Sequence, residues 1–262
     1  MVNRIRQEIR RIVGAFIFFC RIPLPSRWYS EGTSHSSRYF SLVGCFVGAA
    51  SAVIWMLTQM LFSSSLGTST EGAVTISVLL GMIVAVLLTG AIHEDGFADT
   101  LDGLSGGWTV EERLRIMKDS RLGTYGSLGL LFIVLLKFFA LLEIETEILP
   151  WVWFAGHALS RFVSISHLRF LSYVGDTAKS KSRSMIEFSR VDFFTNAVFG
   201  LLPLFFIGNQ VWVGLLAVAF ISWLSLVYFK RKLGGVTGDC LGATQQLSEV
   251  VFYLCMGLNY WM

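Results

Sequence analysis

Asp95, Asp99 and Asp102 follow one another at spacings of four and three residues. In a helix, at about 100° per residue, their side chains fall within an arc of about 60°. Like charges on one helix side repel, so such an arrangement requires a cation or a proton to offset the repulsion. Oxygen-only ligation suits a hard divalent ion, Mg²⁺ above all, and Mg²⁺ held by a few carboxylates commonly serves a phosphate substrate. His93 and Glu94 lie immediately before the acids. His93 is a candidate to orient a carboxylate or to carry a proton, and equally an ordinary histidine at a helix end. Gly96 and Gly103 permit close backbone approach.

Two later segments carry complementary chemistry. Lys118-Asp119-Ser120-Arg121-Leu122-Gly123 combines two cations, an acid and a hydroxyl with a glycine. Arg121 offers a bidentate fork to phosphate oxygens and Lys118 a point charge, while Asp119 is a further candidate metal ligand. The same cations also suit an ordinary basic membrane-flanking loop. Gly234-Gly235-Val236-Thr237-Gly238-Asp239 lacks the Lys-Ser/Thr of a phosphate-binding loop. Consecutive N–H groups through Gly235, Thr237 and Gly238, leading into a helix, would still form a concavity for an anion. Asp239, Gln245 and Glu249 are candidates to hydrogen-bond a sugar or base.

The elements that must position these residues are membrane helices. Of the 262 residues, 54% are hydrophobic and only 15% charged, against about 25% charged in soluble domains. Apolar windows at 39–62, 73–92, 126–142, 149–168, 193–207, 211–229 and 247–262 predict an all-α, polytopic integral membrane protein with about seven transmembrane helices. Arg4, Arg6, Arg10 and Arg11 precede a short apolar run, 12–20, with no small-residue cleavage site after it. That pattern predicts an interfacial or re-entrant N-terminal helix rather than a signal peptide. No linker or repeat divides the chain, so one catalytic unit over 1–262 is expected.

Lys and Arg fill the N-terminus through Arg38, the stretch from Arg113 to Arg121, the stretch from Arg169 through Lys179, Lys181 and Arg183 to Arg190, and Lys230–Lys232. The alternate loops, 63–72, 143–148 and 208–210, hold none. The positive-inside rule puts the N-terminus, the acids and both glycine-rich segments on the cytoplasmic side of an inner membrane. Inside the expected spans the only Lys or Arg residues are Lys137 and Arg161, with His157 one turn before the latter. Ionisable residues within a membrane are functional candidates, and Arg161 is favoured as a substrate contact. Cys20, Cys45, Cys240 and Cys255 are scattered and form no metal or disulfide pattern. The basic loops lack interleaved aromatics, which argues against nucleic acid as a partner.

The residues thus describe a Mg²⁺-dependent membrane enzyme acting on a phosphorylated substrate from the cytoplasmic side. Two rivals share part of the pattern. A CDP-alcohol phosphotransferase also has Asp-Gly and spaced acids, but its signature wants Arg where Asp99 stands. A cation-coupled transporter would place acids mid-span with an inverted repeat, and neither is evident.

Taken together, the segments resemble the cobalamin-5′-phosphate synthase family (adenosylcobinamide-GDP ribazoletransferase). The resemblance rests on Arg21-Ile22-Pro23-Leu24-Pro25, Leu42-Val43-Gly44-Cys45-Phe46-Val47-Gly48 and the block from His93 to Gly103. Met117–Gly123 and Gly234-Gly235-Val236-Thr237-Gly238-Asp239-Cys240-Leu241-Gly242-Ala243 complete it. Glu94 departs from the pattern, where an apolar residue is expected, and 175–190 is less recognisable. The resemblance implies a transferase that joins α-ribazole or its 5′-phosphate to adenosylcobinamide-GDP and releases GMP, in a bacterial or archaeal cytoplasmic membrane. It implies Mg²⁺ held against the diphosphate by Asp95, Asp99 and Asp102, with Asp119 as a further candidate ligand. Lys118 and Arg121 would stabilise phosphate charge, His93 or an acid would take the proton, and Thr237–Asp239 would contact nucleotide or ribazole.

Overall fold

The computed structural model describes residues 2–22, 35–65, 70–175, 187–209 and 211–258. Pro23, Leu24, Pro25, Lys179, Lys181 and Arg183, most of 175–190, residues 66–69 of the loop at 63–72 and the end of the window at 247–262 lie outside the described residues. Within them the chain is helical, and its one β-type pairing is the parallel bridge of Tyr173 with Val236.

Ten α-helices run in order: α1 Val2–Phe19, α2 Phe40–Ser65, α3 Thr70–Thr89, α4 Ile92–Gly106, α5 Val110–Met117, α6 Thr124–Leu142, α7 Leu149–Ser166, α8 Arg190–Leu201, α9 Val211–Leu233 and α10 Gly238–Leu258. Among the described residues four stretches are long and apolar enough to cross a membrane: Ser36–Phe62, Glu71–Thr89, Thr124–Leu142 and Val211–Leu233. They match the expected windows at 39–62, 73–92, 126–142 and 211–229, and the protein is an all-α integral membrane protein.

The other expected windows have a different character. α7 is the buried centre of the bundle, with Leu149, Val152, Trp153 and Leu159 in the core and His157, Arg161 and Ser164 also buried. α8 is only 12 residues long and gives way at Pro203 to the 3₁₀ turn Leu202–Phe206, because proline cannot continue the i→i−4 ladder. α10 begins at Gly238, well before the apolar stretch at 247, and buries Thr244, Gln245, Gln246 and Glu249 in its first half.

α1 starts earlier than its apolar run and is amphipathic. Its apolar end packs Phe18 and Phe19 on Phe40, with ring centroids 5.1 and 4.4 Å apart. Its polar side presents Glu8 to Arg38 at 2.9 Å and to the Tyr39 hydroxyl at 2.8 Å. Arg38 in turn donates to Asp192 at 2.6 Å. That ion network fastens the start of α2 to both α1 and α8.

Candidate active site

The segment holding the three acids is helical, as their spacing requires. Gly90 and Ala91 both adopt left-handed backbone conformations, with φ of 62° and 59°. Two such residues in a row turn the chain sharply, so α3 ends and α4 leaves its end in a new direction. α4 then lies against the start of α10. A Cβ on Gly96 would stand 3.0 Å from Asp239 Cα, and one on Gly242 would stand 3.2 Å from the His93 carbonyl oxygen. These two missing side chains let the backbones approach closely, and the approach adds Asp239 to the acids of α4.

Within that group the carboxylates differ. Asp95 is exposed, Asp99 half-buried and Asp102 buried. The Asp99 carboxyl is pushed up to about 7, first by burial and then by the charges of Asp95, Asp239 and Asp102. Such a group binds a cation or a proton more readily than an isolated aspartate does. Asp102 is otherwise engaged: it accepts the Gly123 N–H at 2.7 Å and the Gly126 N–H at 2.8 Å. It thereby caps α6, whose own N-cap residue, Gly123, has no side chain to do so. A Cβ on Gly123 would meet the Asp102 carboxylate at 2.5 Å, so the bare backbone there leaves room for the cap.

Asp119 is also committed elsewhere. It pairs with Arg121, Nη2 to Oδ2 at 2.7 Å, and hydrogen bonds from that side chain and from the Arg121 N–H lower its carboxyl to about 2. Arg121 is exposed and Asp119 half-buried, and neither lines the cleft beside the acids. Two of the four carboxylates expected to share an ion are thus also engaged by donors of the chain, Asp102 at a helix start and Asp119 by an arginine, while the charge of Asp102 still bears on Asp99. Among the described residues no group of three or more His, Cys, Asp or Glu side chains already converges on one point. The charges of Asp95 and Asp239 both bear on Asp99, and carboxylate oxygens are the donor type that suits a hard cation.

A cleft of about 400 Å³ opens at these acids, lined by Asp99, Lys118, Tyr173, Gly175, Thr237 and Asp239 among others. Lys118 is placed by α5, whose start is fixed by the reciprocal cap of Thr109 and Glu112. Arg113 then ties α5 to the end of α9 by donating to the Lys232 carbonyl at 2.8 Å. The Thr237 hydroxyl accepts the Cys240 N–H at 3.2 Å and so caps α10, aiming a helix N-terminus at the cleft. Gly235 is held beside Tyr173 by the Val236 N–H, which donates to Ser172 at 3.0 Å, and by Val174, which donates to the Val236 carbonyl at 2.8 Å. Gly235, Thr237, Gly238 and Asp239 thus gather where the glycine-rich segment predicts.

Gln245 and Glu249 do not line the cleft. They lie two and three turns deeper in α10, in a buried network that the spacing of the sequence does not reveal. Glu249 pairs with Lys137 at 2.8 Å and with His157 at 3.0 Å. Gln246 accepts from Lys137 at 2.8 Å and donates to Glu94 at 3.0 Å. Gln245 donates to Ser160 at 3.0 Å and also to Glu249. Arg161 lies against this network, donating to the His157 carbonyl at 2.9 Å and covering the Phe19 ring. The one prior signal was negative: Lys137 and Glu249 are charges inside apolar stretches, which survive burial only when paired. His93 is buried and stacked on Phe19, centroids 5.0 Å apart. Burial and the nearby Arg161 hold its imidazole well below ordinary histidine basicity.

Comparison with known proteins agrees with the pattern of residues. The family model described as cobalamin-5-phosphate synthase matches residues 11–257. An adenosylcobinamide-GDP ribazoletransferase of Vibrio cholerae serotype O1 is 40% identical over 263 residues, covering 98% of this chain and 96% of that protein. Proteins of the same name from Shewanella putrefaciens and Shewanella piezotolerans are each 40% identical. They cover 95% and 96% of this chain, and 94% and 96% of their own lengths. No solved structure matches.

Proposed function

The chain belongs to the cobalamin-5-phosphate synthase family, and on that premise we propose that it is a membrane-embedded adenosylcobinamide-GDP ribazoletransferase. It joins α-ribazole or its 5′-phosphate to adenosylcobinamide-GDP, forming adenosylcobalamin or its 5′-phosphate. A ribose hydroxyl oxygen of the acceptor forms a bond to the phosphorus attached to the corrinoid side. The bond from that phosphorus to the bridging oxygen breaks, and GMP leaves with that oxygen. The observation that carries the proposal is that Asp99, Asp239 and Lys118 line one cleft of about 400 Å³, with the charge of Asp95 also bearing on Asp99.

Asp95, Asp99 and Asp239 would hold Mg²⁺. When bound, the ion offsets the charge of a diphosphate and of the carboxylates themselves. Phosphoryl transfer depends on positioning and charge neutralisation more than on covalent catalysis. Lys118 supplies a fixed positive charge on the cleft wall, and the capped start of α10 presents the positive end of its dipole to the same space. A carboxylate of this group takes the proton of the attacking hydroxyl, because the His93 imidazole is too weakly basic to compete. His93 instead forms part of the wall behind Asp95, where its stacking on Phe19 fixes the first turn of α4. Asp102 acts at one remove, holding α6 against α4.

The active face is the cytoplasmic one. The basic end of α9, Lys230 to Lys232, and Arg113 of α5 meet at the same end of the bundle as the acids, and clustered Lys and Arg mark the cytoplasmic side. The test is product analysis with purified protein in lipid, given adenosylcobinamide-GDP and α-ribazole with and without Mg²⁺. GMP and an adenosylcobalamin product are expected only with the ion. Failure to release GMP under any divalent ion would sink the proposal.

A further inference from the structure

Behind the acids a second cavity, of about 200 Å³, lies between α3, α6, α7 and α10. Its outer walls are apolar: Met82, Ile83 and Val86 of α3, Val134 of α6 and Trp153 of α7. Its floor includes His93, Lys137, Arg161 and Gln246. A smaller space of about 140 Å³ shares His93 and Arg161 with this cavity and is lined by Asp95 and Asp239 as well. His93 and Arg161 therefore wall both the apolar chamber and the space beside the acids.

Three properties of the chamber define its occupant. First, the charges of its floor are already balanced, Lys137 and Arg161 against Glu94 and Glu249, and Lys137 and Glu249 are in direct contact at 2.8 Å. A charged ligand entering would lose its hydration with no opposite charge left to meet it. Second, the floor retains isolated polar points: Arg161 Nε, His157 Nε2 and Glu94 Oε2 have no hydrogen-bond partner among the described residues. Third, the mouth faces hydrocarbon. Ile83 and Val134 are each 42% exposed, and Leu87 is 67% exposed, on two helices apolar and long enough to span the bilayer. An uncharged flat ring with a polar atom or two satisfies all three.

Of the components of the proposed reaction, the corrinoid donor carries a diphosphate and is far too large for the chamber. The acceptor nucleoside carries an uncharged bicyclic benzimidazole. We propose that this cavity takes the benzimidazole base of the acceptor, with the ribose in the smaller space beside Asp95. The assignment rests on the transferase reading above and adds to it the residues that select the acceptor.

Two cavity-filling variants, Met82→Trp and Ile83→Trp, test the pocket in full-length protein reconstituted in phosphatidylethanolamine–phosphatidylglycerol nanodiscs. The KM for α-ribazole rises about tenfold or more, while the KM for adenosylcobinamide-GDP stays within about twofold of wild type. Equilibrium binding of labelled α-ribazole without the corrinoid donor weakens by the same factor. Free benzimidazole competes for that binding in the wild type. Ile83→Trp alters a lipid-facing position, so it remains informative if Met82→Trp fails to insert. Unchanged ribazole binding in the variants, or no competition by benzimidazole, overturns the pocket and leaves the chamber to a lipid chain. The binding assay needs no turnover, so ribazole binding without GMP release would keep the pocket and reject the reaction. GMP release with an unaltered ribazole KM in both variants would do the reverse.

Discussion

Two groups of charges lie close together in this bundle and are handled in opposite ways. Around Glu249 each charge has a partner supplied by the chain: Lys137 at 2.8 Å, His157 at 3.0 Å, and the amides of Gln245 and Gln246 around them. At the start of α4 and α10, Asp95, Asp99 and Asp239 face one another, and the charges of the other acids help to push the Asp99 carboxyl up to about 7. Both arrangements are costly to fold. The first is closed by the protein and can only be structural or shape a cavity. The second is left open toward solvent with a lysine on the same cleft, and under the proposed function it would take an external cation and an anionic substrate.

The contrast is sharpest where removing a charge has opposite consequences. Lys137→Met leaves Glu249 buried with half its partners gone and should destabilise the folded protein by about 3–5 kcal/mol. The double variant Lys137→Met, Glu249→Met removes both charges and should recover much of that loss in a thermal melt followed in detergent. A single variant as stable as wild type would mean that the network is not closed. At the open group, Asp99→Asn should reduce GMP release by about 100-fold or more while the folded protein melts no lower than wild type. Near-normal Mg²⁺-dependent turnover in a correctly inserted Asp99→Asn protein would remove the acids from the proposed reaction.

Metal removal probes the same site by a smaller effect. The Asp99 carboxyl has its folded value raised, so its contribution is fully present below the unfolded value of about 4 and is lost as the pH rises through about 7. With chelator, the melting temperature should therefore fall between about pH 4 and pH 7, and Mg²⁺ should restore it most above pH 7. Asp99→Asn should flatten that dependence; a wild-type curve indifferent to Mg²⁺ at pH 8 would contradict it. The smallest change expected is at Asp102. A Cβ in Gly126→Ala would collide with its carboxylate, and loss of this cap should cost about 1 kcal/mol. Turnover should fall only modestly, because Asp102 fixes α6 rather than touching substrate. A loss of activity as deep as that of Asp99→Asn would return Asp102 to the ion-binding group.

Much of the site is legible from residue order. Asp95 and Asp99 declare themselves by their spacing after an apolar stretch, and the glycine-rich run ending at Asp239 points to a helix start that meets an anion. What residue order does not convey is that Asp102 is held by two backbone N–H groups and Asp119 by an arginine. A capping carboxylate and a metal-binding carboxylate are the same residue type at the same spacing; only the position of the α6 N-terminus 21 residues later, at Gly123, separates them. The placement of Gln245 and Glu249 beneath the cleft is equally hidden. It depends on Lys137 of α6 and His157 of α7 arriving at the same depth in the bundle.

Local chemistry sufficed for the helical class, the membrane environment and the acids of α4, because apolar length and helical periodicity act over neighbouring residues. Which carboxylates share a site, which charges neutralise one another and where a chamber is left between helices came only from the tertiary structure. Those outcomes depend on close crossings such as Gly96 with the backbone of Asp239, where residues 143 positions apart are brought within van der Waals reach. Electrostatic and packing energies depend on distance in space, and sequence separation places no bound on it.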